Sequence, residues 1–162
     1  MKMLFTLLLG FMLQTNAKLT KASDLPLLNN PVTELLGKYE STKDGLYLAL
    51  ASSRCSALLS VVQGVLKRDA NKDVYVGVPD RLLGFAWDVT HAKLRNRGVD
   101  LDDARLKIMS SDLNDEFTSF VKAYSGRMTA NRKANGDMWS SDPLISNDLE
   151  ACQEIAAALA KS

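Results

Sequence analysis

The chain reads as all-α: an irregular bundle of four or five helices, with one disulfide linking the first long helix to the last. Three observations predict this. Apolar residues recur at three- and four-residue steps through most of the sequence. Helix starts and stops punctuate those stretches at Pro31, Pro79, Asp100, Gly136 and Pro143. The two cysteines, Cys55 and Cys152, each fall inside an apolar stripe, so both point inward from their helices.

Residues 1–17 stand apart from the bundle and read as an export signal. Lys2 gives a short positive start, Met3 to Leu13 form an apolar run, and Thr15 and Ala17 supply the small residues a signal peptidase needs. The run is too short for a stable membrane span, which takes roughly 20 apolar residues. Cleavage after Ala17 is therefore expected, with no stable membrane insertion afterwards and a periplasmic or secreted location. An oxidising compartment then favours pairing of Cys55 with Cys152.

Residues 18–43 form a polar N-terminal arm, carrying a short helix from Pro31 to Lys38 with Asn30 as its cap. Residues 44–162 make the helical domain. Its first long helix runs from Asp44 to Lys67, with Tyr47, Leu50, Ala51, Cys55, Leu58, Val62, Val65 and Leu66 at helical steps. Val74, Val76 and Val78 alternate like a strand but have no partner strand, so Asp69 to Val78 is expected to be an extended connector. Pro79 and Asp80 open the next helix, which stops before Gly98. Asp100, with Asp103 three residues on, is expected to cap the following one. The stripe Leu106, Met109, Leu113, Phe117, Phe120, Tyr124 and Met128 fits one helix to Lys133. Ser110-Ser111-Asp112 offers a second cap, so the spacing leaves one helix or two. The last helix starts at Asp142-Pro143 or near Ser146, with Leu149, Cys152, Ile155, Ala156 and Leu159 as its stripe.

Function is far less legible than fold. The chain carries 20 basic and 19 acidic residues, and removing Lys2 with the signal leaves 19 of each. A neutral chain gives no electrostatic reason to expect nucleic acid. His91 is the one histidine; Asp88, three residues before it, shares its helix face and is placed to orient it. A nucleophile motif is missing, so a surface histidine against Trp87 is the simpler expectation. The acidic groups Asp100-x-Asp102-Asp103 and Asp112-x-x-Asp115-Glu116 lack a calcium-loop layout and fit helix starts. Two cysteines and one histidine fall short of a zinc site, and no cofactor motif is present. Arg127, Arg132 and Lys133 cluster at one helix end, and Lys93, Arg95 and Arg97 at another; together they would hold an anion only if they converged. Trp139, beside Met138 in the loop from Gly136 to Asp142, either lids the bundle or anchors a partner.

The reading that follows is a non-enzymatic exported protein that binds an unidentified macromolecular partner, with Trp139, Arg127 and Arg132 as contact candidates. Two other classes compete. A small hydrolase would use His91 with Asp88, or the acidic clusters. A small-ligand binder would need an apolar pocket lined by Phe117, Phe120 and Trp87.

Overall fold

The computed structural model describes residues 28–70 and 72–161. Residues 1–17, where an export signal is expected, and most of the arm that follows lie outside them. Five helices follow in chain order: α1 (Val32–Thr42), α2 (Gly45–Ala70), α3 (Val78–Asn96), α4 (Asp103–Asn135) and α5 (Pro143–Leu159). The described residues contain no strand. The protein is all-α, and Cys55 on α2 is bonded to Cys152 on α5.

The bundle is built around α2, which packs against each of the other four helices. Its sequence explains why. From Ala51 to Leu59 every residue is buried, so the helix has no solvent face in its middle. Ala51, Ser52, Ser53, Cys55, Ser56 and Ala57 are all small there, which lets neighbouring helices approach from every side. By length and composition α2 could cross a membrane, with a mean hydropathy of 1.4 over its most apolar stretch, yet 61% of that stretch is buried within the bundle. A central position accounts for its apolarity. At its start, a Cβ on Gly45 would lie 3.1 Å from Val89 Cγ1. Glycine lets the beginning of α2 approach α3.

The core joins Leu58, Leu59 and Val62 of α2 to Val32 of α1, Leu82 of α3, Phe120, Tyr124 and Met128 of α4, and Ile145 of α5. Val32 is wholly buried, and α1 packs on both α2 and α5. This helix continues to Thr42, past the expected stop at Lys38.

α4 is one continuous helix of 33 residues, about 50 Å long. Ser110, Ser111 and Asp112 are exposed in its interior and do not break it. Its cap is Asp102, whose side chain accepts from the Arg105 N–H, and not Asp100. Asp100 instead offers its carbonyl to the Arg105 guanidinium. The helix stops at Gly136, which takes a positive φ of 73°. Asp142 caps α5 by accepting from the N–H groups of Leu144 and Ile145.

Candidate functional site

The polar residues that matter most lie inside the bundle. Arg54 follows two serines and precedes Cys55 in the buried centre of α2. Its side chain is 5% exposed and the carboxylate of Asp148, on α5, is fully buried. Arg54 Nη2 donates to Asp148 Oδ2 at 2.5 Å, Nε donates to the Tyr124 hydroxyl at 2.7 Å, and Nη1 donates to the Asn30 carbonyl at 2.6 Å. The Tyr124 hydroxyl in turn donates to Asp148 Oδ2. Asp148 Oδ1 accepts from the Val32 N–H at the start of α1. One carboxylate therefore serves three donors, and the knot ties α1, α2, α4 and α5 together. Burial raises the Tyr124 hydroxyl far above its ordinary range, with the Asp148 charge adding to the effect, so it stays protonated as a donor. All its strong donors and acceptors face one another, which is the arrangement of a structural clamp.

A second network locks the turn between α4 and α5. Arg127 grips Asp142 through Nε at 2.5 Å and Nη2 at 2.9 Å, and Asn131 Nδ2 donates to the same carboxylate at 2.8 Å. The arginine, followed by Asn131 and the cap N–H of Ile145, holds the Asp142 carboxyl down at about 2.

A third polar group is incompletely satisfied. The hydroxyls of Ser52 and Ser53 are buried without a hydrogen-bond partner among the described residues. Glu116 on α4 lies in the same seam. Burial pushes its carboxyl up to about 7, and the neighbouring Ser53 hydroxyl, though outside regular hydrogen-bond geometry, is the one group that favours its charged form. Glu116 was grouped in the sequence with acids expected at a helix start; it sits mid-helix instead, on the inward stripe between Leu113 and Phe120.

The remaining sequence candidates are dispersed. His91 is half-buried and Asp88 is exposed, and no hydrogen bond joins them among the described residues. Lys93 and Arg97 both reach Asp44, at 3.1 and 3.8 Å, while Arg132 reaches Asp69 at 2.8 Å. Asp44 and Asp69 bracket α2, about 37 Å apart along a helix axis, so the two basic clusters do not converge. Trp139 is half-buried and packs on the core with Met138. Its carbonyl accepts from Ser146 Oγ, which pins the loop over the bundle. Phe117 and Phe120 are core residues. Two open surface depressions lie elsewhere, one between Lys43, Val89 and Arg97 and one between Thr33, Asn147 and Glu154. No group of three or more potential metal ligands occurs among the described residues.

The connector between α2 and α3 is the most distinctive surface feature. Tyr75 packs against the core, and its hydroxyl accepts from Gln153 Nε2 on α5 at 2.7 Å. Its neighbours Val74 and Val76 point the other way and are 53% and 65% exposed. Period-two alternation, read in the sequence as strand-like, here buries the tyrosine and presents the valines. The other large exposed apolar residue among the described ones is Ile108, on the first half of α4. Compared with protein-family models, with characterised proteins and with solved structures, the chain matches none.

Proposed function

We propose that this protein is an exported binding module that works by contact with a macromolecule in the periplasm or outside the cell. The observation that carries the contact reading is the connector: two valines held outward by a tyrosine anchored behind them. Ordering the loop in advance lowers the entropy cost of association, and apolar area supplies the driving force. The buried Cys55–Cys152 bond is compatible with an oxidising compartment and supports the export half of the reading. The charged side chains with the best geometry are occupied in holding the fold, which weighs against the hydrolase alternative.

The test places a photo-crosslinking residue at position 76 or 108, with exposed Lys122 as control, in the cell that makes the protein. The expected result is one defined adduct from position 76 or 108, absent from position 122, in the exported fraction. An enzymatic activity abolished by His91→Ala would overturn the reading in favour of the hydrolase.

A further inference from the structure

Glu116 sits where α4 changes character. Among the described residues, α2 is the one helix against which α4 packs extensively. From Phe117 onward α4 is tied to other elements by polar links: Tyr124 to Arg54 and Asp148, Arg127 and Asn131 to Asp142, and Arg132 to Asp69. Among the described residues, 103–115 have no side-chain hydrogen bond or ion pair to another helix. There only Met109 is buried, with Leu106 and Leu113 half-buried. The first half of the helix thus hangs on a narrow apolar stripe, and Glu116 stands at the junction beside two unpartnered serine hydroxyls.

We propose that Glu116 is a protonation-controlled latch: the neutral carboxyl closes the seam between α2 and α4, and loss of its proton loosens the first half of α4 while the second half stays docked. The chemistry of the seam supports this. From α2 the carboxyl meets Ser53, next to Ser52, and neither is charged. Arg54, the next residue along, turns its guanidinium to Asp148, Tyr124 and Asn30. On α4 itself Asp112 and Asp115 are exposed, and among the described residues no charged side chain acts on Glu116. A neutral acid can donate to a serine hydroxyl and accept from one. Glu116 is half-buried, so a carboxylate there loses part of its hydration and gains only the Ser53 hydroxyl in return.

The sign follows from burial. The carboxyl titrates near 4.5 when exposed and near 7 in the closed seam. A raised folded-state value means that the stabilisation is complete below the exposed value and is lost as pH rises through 7. Opening of the first half of α4 should become about tenfold more favourable between pH 6 and pH 8.

Amide hydrogen exchange of the full chain, corrected for the intrinsic pH dependence of exchange, reads this directly. Protection over 103–115 should fall about tenfold from pH 6 to pH 8, and protection over 117–135 should hold. Glu116→Gln should erase the difference. Histidine ordinarily titrates in the same range, so His91→Asn is the control and should retain it. Persistence in Glu116→Gln, loss in His91→Asn, or an equal pH response in both halves would overturn the latch. Carboxyl carbon NMR of the unsubstituted protein is the second readout: a Glu116 midpoint near 7 supports the proposal, and one at 5 or below refutes it. Ser53→Ala should raise that midpoint, because it removes the group that favours the charge.

Discussion

Single carboxylates join elements that are distant in the sequence. Asp148 accepts from Arg54, Tyr124 and the Val32 N–H while fully buried. Asp148→Ala leaves a buried guanidinium without its counter-ion, so urea unfolding should show a loss of about 3–5 kcal/mol. Replacing both charges, as Arg54→Met with Asp148→Leu, should cost much less than Asp148→Ala alone. A buried pair can be exchanged for packed apolar groups, whereas half a pair cannot be tolerated. Asp142 is the second such residue. It caps α5 and holds Arg127 and Asn131 at once. Asp142→Ala should cost about 1–2 kcal/mol from the cap, read as a lower Tm with unchanged far-ultraviolet circular dichroism.

At the scale of the element, α4 decides how much the sequence could tell. Its apolar stripe was legible from Leu106 to Met128, and its end at Gly136 followed from glycine's tolerance of positive φ. Whether it broke at Ser110-Ser111-Asp112 was not legible. Those residues cap helices and also sit acceptably on a solvent face; what decides is the uninterrupted stripe beneath them. Ser111→Ala tests the continuous helix. At an exposed interior position alanine should raise stability by up to about 0.5 kcal/mol, whereas at a real cap it would lower it. The disulfide and an all-α layout of four or five helices were readable because period and cysteine placement are local signals. The buried polar knot was not, although Arg54 inside an apolar run was its trace; its partners come from 70 and 94 residues away. Tyr75 shows the same limit. Alternation marked the connector, but not which of its residues would face inward.

Across the whole molecule, two opposing titrations shape stability. Glu116 favours acid, since burial raises its carboxyl to about 7. Asp142 favours alkali of its own low value: Arg127 depresses it to about 2, so its contribution is present above the ordinary carboxylate range and fades as pH falls towards 2. Denaturation midpoints measured from pH 2 to pH 8 should therefore peak at about pH 4, where both contributions are almost complete, and Glu116→Gln should flatten the alkaline side alone. The disulfide acts at every pH. It closes a separation of 97 residues, and Cys55→Ala with Cys152→Ala should cost about 2–4 kcal/mol by calorimetry while leaving the helices in place. Arg54 and Cys55 are adjacent on α2, while Asp148 and Cys152 are one turn apart on α5. The ion pair and the covalent bond therefore join the same two helices at the same level. In time, this gives them different duties. A chain emerging in order from the ribosome presents Cys55 long before Cys152, and its thiol must wait. Once α5 is in place, the Arg54–Asp148 pair holds it against α2 at the level of the cysteines, so the contact that fixes the register of the two helices also holds the two sulfurs within bonding reach of each other.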